Sequence, residues 1–323
     1  MVAKDRLSYM DIAKFFAIYL VVLGHMYVVF NGLISTSIQR AIYSFHMPLF
    51  MMISGFFAHS AMQSDFKTLV TKKARQLLLP CVMCTILEIF FTFLTTGAMP
   101  LGIAREIVIG NSWFLKTLFC ILIIVYVSLK ATKRPVWACV LSCAIMLVIP
   151  HGYSMEVNYL LPFFWGGYFL KNHREGLEKY IKVISAVSLV IYVVCFNLLY
   201  KGFINISLAS ITSDYPNIIV NYITATSGCM VMFGITMAID KCIKKGKLKD
   251  TICLIGQKTL EIYLLQTIIL LTIIGNLVTL KFNIVAEGIL AMIFAFVVIF
   301  FIIYISKQID RNKYLRFAFF GKL

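Results

Sequence analysis

Three polar residues interrupt an otherwise apolar stretch near the start of the chain: Asp11, Lys14 and His25 in YMDIAKFFAIYLVVLGHMY. On a helix, Lys14 and His25 are close to three turns apart and share a face, ~16 Å from each other along the axis. Asp11, three residues before Lys14, lies on nearly the same face. Ionisable groups inside an apolar span are costly and usually face an interior or a cavity, and an imidazole placed there carries protons near neutral pH. A second histidine, His46 in SFHMPLFMMISGFF, opens the next apolar stretch. Antiparallel spans bring the two histidines to similar depth, one as general base and the other as an orienting or substrate-binding group. Asp11, His25 and His46 are the candidate catalytic groups. The plainer alternative is that each histidine satisfies a helix carbonyl or sits at the membrane interface.

Further polar groups sit at the ends of later apolar runs. KKARQLLLP places Lys72, Lys73 and Arg75 before a span, where basic residues either set topology or clamp phosphate oxygens. Lys14 is harder to read as topology, because apolar residues follow it at once; it pairs with Asp11 or reaches the same anion. Lys14, Lys72, Lys73 and Arg75 are the candidate cofactor-binding set. NSWFLKTLF carries Asn111, Trp113 and Lys116, which read as an interfacial aromatic anchor with a snorkelling lysine. NYLLPFFWGGYFL carries Asn158, Trp165 and paired Gly166 and Gly167, and SFHMPLFMMISGFF adds Ser54 and Gly55; close helix packing is the favoured reading of these small residues. QKTLEIYLLQ holds Glu261, Tyr263 and Gln266, with Lys258 three residues before Glu261. Asn111, Trp113, Glu261 and Tyr263 are the candidate substrate-binding residues. The nine cysteines read as small buried hydrophobes, and with no ligand set around them no metal is expected.

These groups need a scaffold, and composition says which. Of 323 residues, 61% are hydrophobic and only 14% charged, against about 25% charged in soluble domains. Apolar runs recur end to end, giving an all-α polytopic bundle with ten expected spans: about 12–30, 41–60, 77–95, 113–130, 135–150, 157–170, 182–200, 217–239, 259–279 and 284–306. The first run has no small-residue cleavage site and reads as a retained helix. The net charge of +16 is not a nucleic-acid signature, because the basic residues cluster in alternate gaps. With the N-terminus in the cytoplasm, inner segments hold 23 Lys and Arg and outer segments four, a bias that places both termini in the cytoplasm. The expected organisation is one integral-membrane domain over 1–323, with a bundle over about 8–306 and a basic cytoplasmic tail over 307–323.

Taken in order, YMDIAKFFAIYLVVLGH, SFHMPLFMMISGFF, KKARQLLLP, WFLKTLF, LPFFWGGYFL and QKTLEIYLLQ resemble acyltransferase family 3, the bacterial integral-membrane O-acyltransferases that modify surface carbohydrates. The SFHMPLF variant is most similar to its capsule, exopolysaccharide and fucose O-acetylase-like branch. The resemblance implies an acyl-CoA donor, usually acetyl-CoA, entering from the cytoplasm. It implies a sugar hydroxyl as acceptor on the outer side, on a surface carbohydrate or a lipid-linked oligosaccharide. It maps the family's basic residue and histidine onto Lys14 and His25, although that basic residue is usually arginine, and lysine loses the bidentate fork. Gln266 stands where relatives often carry histidine, and packing is its expected role here. A pantetheine arm then links cytoplasmic cations to a deep histidine base, while Asn111, Trp113 and Tyr263 are the candidate oxyanion donors. The competing class is a transporter or flippase for a lipid-linked sugar or small solute, in which Asp11, Lys14, His25 and Glu261 relay protons. The bilayer is an obligatory partner, and the small residues in the spans serve a homodimer contact as readily as internal packing.

Overall fold

A computed structural model describes residues 7–31, 37–97, 102, 110, 112–148, 156–202, 208–275 and 284–322, and every regular element in it is helical. In chain order these are α1 (Ser8–Asn31), α2 (Ser37–Phe56), α3 (Phe66–Thr96), α4 (Trp113–Thr132), α5 (Pro135–Val148) and α6 (Val157–Asn172). They continue with α7 (Arg174–Leu199), α8 (Leu208–Cys242), α9 (Lys247–Gln257), α10 (Thr259–Ile274), α11 (Ile284–Asp310) and α12 (Lys313–Phe320). Local chemistry sets several boundaries. Asp65 caps α3 by accepting from the Lys67 and Thr68 amides, and Gly97 ends it in the left-handed conformation. The α4–α5 turn is short because Lys133 turns left-handed at φ 57° and Pro135 opens the next helix.

Among the described residues each expected span overlaps helix, but only six helices are long and apolar enough to cross a membrane, or seven if α9 and α10 count as one bent span. The chain is therefore a multi-pass membrane protein. The remaining spans expected at 41–60, 135–150 and 157–170 fall on α2, which carries polar residues at its start, and on the shorter α5 and α6. Two features differ from the expected layout. The ninth span is preceded by α9, which meets it at a 62° bend at Lys258. The basic segment after α11 folds into a capped helix, α12.

α1 is the central helix: 67% of its most apolar window is buried, against 11% for α7 at the periphery. It packs against α2, α8, α9, α10 and α11, and its Asp11 and His25 face this interior, where ionisable groups of a span belong. The tightest crossing is α2 on α6. A Cβ at Gly55 would run into the Phe164 carbonyl, and one at Gly167 into the Met52 carbonyl. The two backbones thus touch through reciprocal glycines. Exposed Val183, Val187 and Val190 on α7 and Phe300, Phe301 and Tyr304 on α11 form the apolar exterior that a bilayer covers.

Candidate active site

The α2–α6 crossing and the central α1 together frame a cavity of about 360 Å³. His25 comes from α1, and Tyr43 and His46 from the first half of α2. Trp113 opens α4, Glu156 and Tyr159 open α6, and Tyr263 comes from α10. The two histidines thus line one space, as their antiparallel spans require.

The hydrogen bonds of the histidines fix their chemistry. Gln266 is fully buried, and its Nε2 donates to the Tyr263 carbonyl at 3.3 Å. A carbonyl only accepts, so the amide is oriented with Oε1 toward His25, whose Nδ1 lies 2.7 Å away. Nδ1 therefore carries the proton and Nε2 is the basic nitrogen. His46 donates from Nδ1 to the Ile42 carbonyl at 2.8 Å, one turn back on its own helix, and keeps the same tautomer. Both rings have a free lone pair on Nε2. Glu156 is the one carboxylate among the described lining residues. It lies just before α6, and burial pushes its carboxyl up to about 7, because a carboxylate taken from water disfavours its charge. With Trp113, Tyr43 and Tyr159 as flat walls, the cavity combines two imidazoles, a carboxylate and aromatic faces.

A second cavity of about 280 Å³ lies on the other side of Tyr263, which lines both. Its walls include Phe50 and Ser54 of α2, Gln76 and Leu77 of α3, Phe114 and Leu118 of α4, and Phe320 and Lys322 after α11. Phe50, Phe114 and Tyr263 line it as a run of rings, with successive ring centroids 5.9 and 6.1 Å apart.

The other expected residues separate. Asp11 does not reach His25: it binds Lys14 at 3.1 Å near the opposite end of α1, where its carbonyl abuts Gly256 of α9. Lys14 also lies over the Phe57 ring at 4.8 Å. Lys72 is exposed, while Lys73 and Arg75 are half-buried on α3 beside the second cavity's Gln76. Glu261 is buried at the α9–α10 bend between Lys258 and Lys322, and it does not line the histidine cavity. Asn111 lies outside the described residues. Lys116 does not snorkel: it is buried, and it and buried Glu88 both act electrostatically on Cys81. Among the described residues no three His, Cys, Asp or Glu side chains converge as a metal site needs.

Glu156, Tyr43 and Tyr159 of the histidine cavity were not singled out from sequence. Glu156 was visible as a lone carboxylate at the start of the sixth span. Gln266, read as packing, holds His25 through Nδ1.

Residues 7–307 match the model of a family described as an acyltransferase domain. Among characterised relatives, the chain is 30% identical over 172 residues to the nodulation protein NolL of Mesorhizobium japonicum, covering 49% of this chain and 46% of that one. It is 31% identical over 180 residues to the nodulation protein NolL of Sinorhizobium fredii, covering 51% and 49%. The chain thus aligns with about half the length of each of these relatives. No solved structure matches it.

Proposed function

The chain belongs to this acyltransferase family, and from that premise we propose that it moves a small acyl group, acetyl first, from acyl-CoA in the cytoplasm to a hydroxyl of a carbohydrate outside the membrane. The observation that carries the reading is His25: its Nδ1 is held by Gln266, and its basic Nε2 is left to a cavity shared with His46 and Glu156. The proposed topology has ten spans, with α2, α5, α6 and the bent α9–α10 pair completing the set and both termini inside. Its support is the distribution of Lys and Arg.

In the proposed reaction the acceptor hydroxyl sits between His25 and the donor's thioester carbonyl. Nε2 of His25 takes the hydroxyl proton as the oxygen attacks the carbonyl carbon. The new C–O bond forms, the C–S bond breaks, and the imidazolium returns its proton to the departing thiolate. The products are an ester and free CoA thiol. Gln266 is neutral and cannot offset the charge that develops on His25, so Glu156 is the counter-charge within the cavity and accepts hydrogen bonds from further acceptor hydroxyls. The Trp113 indole N–H is the donor for the oxyanion; the Tyr263 hydroxyl, which bonds the Phe114 backbone, joins it only by exchanging that partner. Lys14, Lys72, Lys73 and Arg75 supply positive charge for the donor's phosphates at the cytoplasmic end. The acceptor is a surface polysaccharide or its lipid-linked precursor.

The test is the O-acetyl content of the host's extracellular polysaccharide, read by proton NMR in a deletion strain. The strain carries wild type or His25→Ala at equal protein levels. Wild type restores the signal and His25→Ala does not, with transfer down by about 10²- to 10⁴-fold. A deletion that lowers polymer yield but leaves the remaining polymer fully acetylated would overturn the reading in favour of transport.

A further inference from the structure

The second cavity is closed at one end by the residues that follow α11. Asn312 caps α12 by accepting from the Tyr314 and Leu315 amides. The helix ends at Gly321, whose φ of +61° lets the chain lie directly on the Arg75 carbonyl, where a side chain would clash. This seating drives Phe320 into the cavity wall, where it is 1% exposed. It also brings Lys322 Nζ to 2.5 Å from Glu261 Oε1.

That ion pair is built to open. The Lys322 side chain is 44% exposed and Glu261 only 1%. A buried carboxylate stripped of its partner is costly, but Glu261 Oε1 has a second cation, Lys258, at 3.3 Å. Lys258 is itself anchored to Asp310 at 2.5 Å and to Ser306 at 3.2 Å. Lys322 can therefore leave without abandoning a bare charge. The cavity behind it is mostly apolar and ends at Tyr263, which also lines the histidine cavity. A mobile cation at the mouth and an apolar passage toward the base fit one ligand chemistry: a phosphate-bearing head on a long, uncharged arm that ends in a thioester.

We propose that this cavity seats the acyl-thioester arm of the donor and that Lys313–Lys322 is its gate, Lys322 exchanging Glu261 for the donor's phosphates as the arm passes Phe320. The inference rests on the acyl-CoA reading above and adds to it a segment that the motif series does not include.

The test is the affinity of the full chain in lipid nanodiscs for acetyl-CoA and for S-acetylpantetheine, which has the arm without phosphates. Lys322→Ala weakens acetyl-CoA by about five- to tenfold, the scale of one charge-assisted contact, and leaves S-acetylpantetheine unchanged. Glu261→Gln frees Lys322 without removing it and tightens acetyl-CoA by about two- to threefold, the size of a modest ion pair released. A purely structural latch predicts something else: both variants weaken both ligands together, and that result overturns the gate. An acetyl-CoA affinity indifferent to both substitutions overturns it too. If wild type binds acetyl-CoA in either of those cases, the donor assignment stands and the gate alone falls. If wild type binds neither ligand, the acyl-CoA reading fails and takes the gate with it.

Discussion

At the scale of single residues, the proposed base is defined by its neighbour. His25 Nδ1 donates to a neutral amide that is itself fixed by the Tyr263 carbonyl. An orienting partner holds the productive tautomer and ring angle. Gln266→Leu should therefore lower kcat by about 10- to 100-fold, the usual cost of losing such a partner, with KM for acetyl-CoA unchanged. Gln266→Glu retains an acceptor and should recover most of the loss; steady-state transfer kinetics in proteoliposomes read both. Glu156 makes a second, pH-resolved prediction. Its carboxyl is raised from 4.5 to about 7 by burial, so lowering the pH through 7 protonates it and removes the counter-charge to His25. The ratio of wild-type to Glu156→Gln transfer rates should rise as pH increases through about 7 and then level off. Taking the ratio cancels the titration of groups remote from the cavity, which both enzymes share. Folding stability runs the other way: the folded state holds this proton more tightly, so stability from this group is full below 4.5 and is lost as pH rises to about 7. A flat ratio would remove Glu156 from the reaction.

At the scale of elements, the site depends on how closely α2 and α6 approach. His46 and Tyr43 are on α2, and Glu156 and Tyr159 begin α6, so a shift between these helices separates the cavity's two sides. Gly167→Ala puts a methyl group against the Met52 carbonyl. Backbone cannot yield as a flexible side chain does, so the helices must part, at about 1–3 kcal/mol. Thermal unfolding in detergent should show a lower Tm together with reduced transfer. Gly166→Ala, whose nearest neighbour is the Met52 methyl at 3.7 Å, should leave both close to wild type. The apolar runs and the polar stripe on α1 were legible from sequence because each is local: hydropathy marks a span, and helical spacing puts Lys14 and His25 on one face. The pairing of His25 with His46 followed from antiparallel order alone. The partners across helices were not legible in the same way. Gln266 is 241 residues from His25 and uncharged, so sequence assigned it to packing. The local Asp11–Lys14 pair, by contrast, was one of the two readings that the spacing on α1 offered, and the structure forms it. The α9–α10 bend and the capped α12 arise where basic residues suggested only a connecting segment, because topology signals report side, not shape.

At the scale of the whole molecule, two cavities meet at one tyrosine within a bundle whose basic residues lie largely in alternate gaps. The proposed division of labour, with donor from one side and acceptor from the other, holds only if those gaps share a compartment. Of the assigned Lys and Arg, 23 fall in the gaps taken as inner and four in the others, and such a bias sets orientation through retention of positive charge. The decisive joints are α2, α5 and α6, which are too polar or too short to announce themselves as spans. Each has neighbours that bury its polar groups: His46 and Ser44 on α2 are buried, and the Asn158 amide of α6 donates to Met146 of α5 at 2.6 Å. Polar groups satisfied inside the bundle remove the objection to placing these helices in a bilayer. Fusions ending after Arg134, Asn172 or Lys245 should therefore give cytoplasmic fluorescence with green fluorescent protein. Fusions ending after Gly202 should give alkaline phosphatase activity, the mark of the outer side. Loss of any one of α2, α5 or α6 as a span would invert the reporters downstream of it. If the Asn172 and Lys245 fusions reported the outside while Arg134 stayed inside, α5 and α6 would not both cross. The His25 cavity and the Lys322 gate would then lack the two-sided access that transfer across the membrane requires.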